Sequence, residues 1–276
     1  MHPRSPNTLP QTLAPVFVSH GSPMLVARQS TPAFDFLHRE LPDHLIGATA
    51  ILIVSAHWQA PVPTLSTAAH QETIHDFYGF PDALYQLHYD VTGAPDLARN
   101  IAAQMGAATD DRRGLDHGAW MPMMLARPQA DIPVFQLSMI ENGSPADHFA
   151  LGKKLRNLRD MGVLVIGSGA MTHNLRALDQ NDGPNTDPWA EEFCQWMVNA
   201  ASQHDIENLL SYRSKAPHAR MAHPYDDHLM PFYVALGAAN PHYDCKTLHH
   251  SIEFGNLAMT ALRFYDPVPS SKARFL

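Results

Sequence analysis

The chain has 276 residues, 45% of them hydrophobic and 17% charged, which is enough apolar material to bury the core of one large domain or two small ones. A formal net charge of −8 argues against nucleic acid or an anionic membrane as a partner, since both call for a basic surface. The two cysteines, Cys194 and Cys245, are isolated, which excludes zinc fingers, iron–sulfur clusters and a disulfide framework.

Residues 1–13 are polar and Pro-rich and contain no secretory h-region, so a loose arm is expected there. No run of about 18 apolar residues occurs, so no membrane span is expected and the protein reads as soluble and cytoplasmic. The pattern predicts a strand over 15–19, a helix over 31–39 and a strand over 50–56. The stretch 61–93 is rich in Pro, Gly and aromatics and reads as a long loop, a place where function often sits. Helices are predicted over 95–105 and 119–126, then a strand over 133–138. A helix over 146–160 follows, with Phe149, Leu151, Leu155 and Leu158 at helical spacing. A strand over 163–168 comes next, then helices over 187–203, 229–238 and 255–264, and a loose tail over 266–276. The strand candidates are near-continuous apolar runs, as in strands covered on both faces. Their alternation with helices predicts an α/β fold: a single domain over 14–265, with a mainly parallel central sheet and helices on both faces.

Four histidines stand where strands or helices end. His20 closes Pro15–Ser19 and opens Gly-Ser-Pro; His57 closes Ile51–Ala56; His173 follows Val163–Gly169; His228 precedes an apolar helical pattern. Neutral imidazole is a common transition-metal ligand and general base. Ligands of open α/β sheets bind outside the carboxyl ends of the strands. Convergence of these histidines on that rim would make a mononuclear metal site; singly, each is equally a turn or core histidine bonded to backbone.

Other motifs have two readings each. Trp58, after His57, is either a pocket wall or core. His117, in Gly-Leu-Asp-His-Gly, is either aimed into the crevice or part of a helix start capped by Asp116. Gly167 and Gly169 are followed by Thr172 rather than a third glycine, so they are no dinucleotide fingerprint; open backbone there suits a small ligand. His223 and His228 are five residues apart with Pro224 between them, so one helical face cannot present both, and His228 is the stronger candidate. Asp226 and Asp227 are rival carboxylate ligands or caps. His75, among Phe77, Tyr78 and Phe80, lines a pocket or packs within its own loop.

Taken together, His20-Gly-Ser-Pro, Ser55-Ala-His-Trp58, Thr73-Ile-His-Asp-Phe77, Asp116-His-Gly118, Gly169-Ala-Met-Thr-His-Asn-Leu175 and Asp227-His-Leu-Met-Pro231 resemble the DODA-type extradiol aromatic ring-opening dioxygenases. These form a branch of the class III extradiol superfamily, in which the catalytic subunit of protocatechuate 4,5-dioxygenase is a more distant relative. The motifs run in family order over most of the chain. The resemblance implies a mononuclear non-haem metal site at the carboxyl rim of the strands. His20, His57 and His228 match its ligands, with Asp227 an alternative to His228. His173 matches the acid–base histidine, close enough to serve as a fourth ligand in zinc-loaded members, and His117 matches a second catalytic histidine near substrate. It implies one divalent metal per chain, Fe(II) for catalysis and Zn(II) in protein as isolated. The partners implied are a small aromatic diol and O2, with a homo-oligomer compatible and neither nucleic acid nor membrane involved. His75, Trp58 and Arg176 are candidates to contact substrate. Arg176, like Arg220, offers a guanidinium that matches a carboxylate bidentately.

The expected reaction is ring opening of a catechol, dopa-like or related, to a semialdehyde. A histidine near neutral pKa would remove a phenolic proton and return it. A zinc-dependent hydrolase on the same scaffold, with Asp226 or Asp227 as base, is the second reading. A catalytically inactive metal- or phenol-binding protein is the third.

Overall fold

The computed structural model describes residues 13–179 and 185–267. Most of the two expected loose ends therefore lies outside the described residues. Of the described remainder, Leu13 is buried and Asp266 pairs with Arg159 at 2.7 Å.

Six strands build the central sheet: β1 (Val16–Ser19), β2 (Ala50–Ser55), β3 (Val134–Gln136), β4 (Val163–Gly169), β5 (Asp244–His249) and β6 (Ala261–Tyr265). Their spatial order is β3-β2-β4-β1-β6-β5. The first four run parallel; β6 pairs antiparallel with β1, and β5 antiparallel with β6. Register aligns the carboxyl ends of the parallel strands, with Ser19 opposite Gly169 and Ser55 opposite Ser168. The backbone continues that alignment: His20 N–H donates to Gly169 O at 2.9 Å and Ala56 N–H to Ser168 O at 3.0 Å.

Both faces of the sheet are covered because its side chains alternate between two cores. Phe17, Leu52, Val54 and Val165 pack with residues of α3 (Pro145–Lys153), α4 (Pro188–Ser202) and α5 (Met230–Ala238). Val16, Val18, Ile53 and Ile166 pack on the other side with α2 (His117–Ala126) and the helical stretch 32–44. The remaining long helix, α1 (Pro95–Met105), sends Ala98, Ile101 and Ala102 into the first of these cores. Among the described residues no helix is long and apolar enough to cross a membrane.

Several predicted elements differ in detail. The 31–39 helix begins under a Thr31 cap but widens to a π-helical turn over Phe36–Glu40. The 146–160 helix stops at Lys153 and continues as a 3-10 turn over Arg156–Met161. The predicted helix over 255–264 is wrong: those residues form a short hairpin strand, Leu257–Ala258, and β6. Leu, Ala, Met and Arg there favour a helix locally. The open edge of β1 overrides that preference by offering a row of unpaired backbone groups, and β6 takes it with Leu262 and Phe264 in one core and Ala261 in the other. Strand β5, absent from the prediction, pairs in turn with β6. Its residues are partly exposed, so they lack the apolar run that marks the central strands.

Candidate metal centre

The parallel strands deliver two histidines directly. His20 follows β1 and is 2% exposed; His57 follows β2 two residues after its end. Their Nε2 atoms lie 3.2 Å apart. His117 opens α2, and its ring centre is 4.0 Å from that of His57 and 5.4 Å from that of His20. His228 arrives from the opposite side, in the 3-10 turn ahead of α5, with ring centres 4.9 Å and 5.5 Å from those of His57 and His20. His173, beyond the end of β4, stacks on His228 at 3.4 Å and 9°. Five histidines far apart in sequence thus meet at one end of the sheet. Their coordinating atoms fall into two groups, each within 4.8 Å: His20, His57 and His117, and His173, Asp227 and His228.

The glycines of the Gly167–Gly169 pair serve packing rather than an open backbone site. A Cβ on Gly167 would stand 2.1 Å from Pro231 O, and one on Gly169 2.1 Å from His228 O. Strand β4 and the His228 segment therefore touch backbone to backbone, and Ala170 N–H donates to His228 O at 2.8 Å.

The partners of the rings identify the nitrogens that carry protons. Ser168 Oγ donates to Gly118 O, so it accepts from His20 Nδ1–H, at 3.1 Å. Asp76 Oδ1 accepts from His117 Nδ1–H at 3.0 Å, and Oδ2 lies 3.5 Å from His57 Nδ1. A carboxylate supplies only lone pairs, so His117, like His20, carries its proton on Nδ1 and leaves Nε2 free, while His57 faces the same carboxylate through Nδ1 and His20 through Nε2. His228 Nδ1 is buried without a hydrogen-bond partner, 3.2 Å from Asp227 Oδ1.

Burial, and then the neighbouring histidines, push His20 and His228 well below the usual imidazole pKa. Burial and His117 lower His57 to about 3 against the opposing pull of Asp76. Burial also lowers His173, with Asp227 opposing it. Burial would raise Asp76, but its hydrogen bonds and the charge of His117 hold it at about 2. The donor set is therefore neutral imidazole beside an ionised carboxylate. It fits a divalent transition metal, whose ligands must be deprotonated.

Of the other sequence candidates, Asp227 alone joins the cluster, beside His173 and His228. Trp58 is buried under the Arg113 guanidinium, 5.0 Å from its ring centre, and Arg113 pairs with the fully buried Asp116 at 2.7 Å. His75 donates to or accepts from Leu87 O at 2.9 Å according to tautomer, and it packs among Phe77, Tyr85, His88 and Trp120. It approaches the cluster through Phe77, whose ring lies 5.7 Å from that of His117. Arg176 and Arg220 are exposed. Asp226 is engaged by Arg213 and by Tyr212 Oη, while Asp227 edges a cavity of about 480 Å³ that also touches Gln59, Ile140, Tyr225 and Met230. Sequence reasoning passed over Asp76 and Ser168. Both stand inside motifs it quoted, next to a histidine and between two glycines, and only the third dimension shows which rings they meet.

Residues 15–265 match the family described as the catalytic LigB subunit of aromatic ring-opening dioxygenase. The chain is 38% identical over 257 residues to the 4,5-DOPA dioxygenase extradiol of Beta vulgaris, covering 90% of this chain and 95% of that protein. It is 33% identical over 260 residues to the 4,5-DOPA dioxygenase extradiol of Escherichia coli K12, covering 90% and 93%. Its fold matches the crystal structure of an uncharacterized Escherichia coli K12 protein with a TM-score of 0.73 at 28% identity, covering 90% of this chain and 98% of that one.

Proposed function

The chain belongs to the family of the catalytic LigB subunit of aromatic ring-opening dioxygenases, and from that membership we propose that it opens the ring of a catechol by extradiol cleavage with O2 at a mononuclear non-haem metal. The relatives named for 4,5-DOPA point to a dopa-like catechol as its substrate. The observation that carries the metal reading is the convergence of imidazole rings at the carboxyl ends of β1 and β2, with His20 and His57 Nε2 3.2 Å apart.

In this reading His20, His57 and His228 hold the metal, at the rim of the parallel strands. Three protein ligands leave open positions, and Fe(II) there supplies the chemistry that joins catechol and O2. His173 stacks parallel on the ring of His228, which supports an acid–base role beside a metal that His228 would hold. Its lowered pKa leaves it neutral near pH 7, ready to accept a phenolic proton and return it to the opening ring. His117, held through Nδ1 by Asp76, leaves Nε2 free, and its ring lies beside those of His57 and His20. The cavity beside Asp227 has room for the part of the substrate outside the ring. His75 and Trp58 act through the rings and cations they support, and Arg176, three residues beyond His173, is the nearest of the two exposed arginines in sequence for a substrate carboxylate.

The test is oxygen uptake by Fe(II)-reconstituted protein across a panel of catechols, followed together with the absorbance of the ring-opened product. Uptake matched by semialdehyde, and absent with Zn(II), is expected. A full metal site with no uptake for any catechol refutes ring opening.

A further inference from the structure

Asp76 lies in the long loop between β2 and α1, with its side chain 22% exposed. The loop is clamped onto the entry to α2. Ile74 N–H donates to Leu115 O and Leu115 N–H to Glu72 O, each at 2.8 Å, and Trp120 Nε1–H donates to Ile74 O at 3.0 Å. A Cβ on Gly114 would stand 2.2 Å from Glu72 O, so the two backbones are already in contact. From this fixed platform Asp76 Oδ1 accepts from both the backbone N–H and the ring Nδ1–H of His117, at 2.8 Å and 3.0 Å. Its other oxygen lies 3.5 Å from His57 Nδ1. One carboxylate thus faces two imidazoles whose ring centres are 4.0 Å apart.

We propose that Asp76 is a positioning residue that holds His57 and His117 together in the Nδ1–H tautomer, so that both present Nε2 to the metal and substrate. A carboxylate accepts on both oxygens, and no neutral side chain of its size does. The inference rests on the metal-centre reading for the roles of the two rings, but the tautomers themselves are independent of it.

A simpler role competes. Asp116, at the N-cap of α2, makes no side-chain capping bond, and Asp76 takes the His117 N–H instead. Asp76→Asn separates the two roles. The amide oxygen still caps the helix and still accepts from His117, but the amide N–H₂ then faces His57 Nδ1. That contact drives the His57 proton to Nε2, where it blocks ligation.

The experiment is imidazole ¹⁵N NMR of the metal-free protein, with Zn(II) affinity measured by chelator competition. In the wild type, His57 and His117 are expected as Nδ1–H. In Asp76→Asn, His57 is expected as Nε2–H, with folding retained and Zn(II) affinity about 10- to 100-fold weaker. Unchanged tautomers together with Zn(II) affinity within threefold of wild type overturn the proposal. So does a wild-type spectrum with either ring protonated on Nε2, which decides the matter even if the variant does not fold. If the wild type shows the expected tautomers but binds no Zn(II), the metal-centre reading fails and the role of Asp76 in setting the tautomers stands.

Discussion

Gly169→Ala is the sharpest probe of how the centre is built. The new Cβ would lie 2.1 Å from His228 O, 3.1 Å from His228 C and 3.3 Å from Pro231 Cγ, whereas ordinary contact begins at 3.4 Å. Strand β4 is buried over its whole length between β2 and β1, so it cannot yield. The His228 segment must therefore retreat by roughly 1.3 Å, breaking the bond from Ala170 N–H. Overpacking of this kind costs about 1–3 kcal/mol, and the stranded buried N–H adds about 1–3 kcal/mol. A metal site tolerates ligand displacement of only about 0.2 Å, and a 1 Å misplacement costs about 10²-fold in turnover. Metal affinity by chelator competition and unfolding in urea should both report the loss. Gly106→Ala is the control: its φ of 67° carries a strain of about 1–2 kcal/mol, but a Cβ there meets nothing within 4 Å, so metal binding should hold. Metal affinity of Gly169→Ala within threefold of wild type would refute the argument that this close approach places His228.

Replacing His20, His57 or His228 by Ala should abolish metal retention, while His173→Ala and His117→Ala should keep metal and lose turnover; elemental analysis beside oxygen uptake checks both. Near-stoichiometric iron in His228→Ala would move the third ligand to Asp227 or His117. Stability of the metal-free protein should fall on acidification. His57 titrates at about 3 when folded, against about 6.5 unfolded, so below 6.5 the unfolded chain binds a proton that the folded site refuses. Between pH 7.5 and pH 5 this one group costs about 2 kcal/mol, and the loss continues until pH reaches the folded value. Buried His20 and His228 shift in the same direction and steepen the decline. A flat urea midpoint over that range would contradict the burial argument. Arg113→Ala should destabilise by about 3–5 kcal/mol, because Asp116 is fully buried and keeps only its Ser55 hydrogen bond. A loss under 1 kcal/mol would show that Asp116 is neutral in the folded protein.

What this sequence determined by itself is local and periodic. The apolar runs at 15–19, 50–56, 133–138 and 163–168 are strands because residues covered on both faces must be apolar at every position. The end-of-strand places of His20 and His57 follow from those runs, and in a parallel sheet such places share one rim. Tertiary structure decided whatever depends on neighbours distant in the chain. Residues 261–265, helical by composition, became a strand because the edge of β1 was open to them. The Gly167–Gly169 pair, which reads as an open backbone site, proved to be where β4 meets the backbone of the His228 segment. Asp76 and Ser168 gained their partners from segments 41 and 148 residues away, and no periodicity in the chain encodes such contacts. Backbone pattern is written in runs of neighbouring residues, whereas the protonation and aim of a buried ring are set by whichever group the fold brings against its second nitrogen.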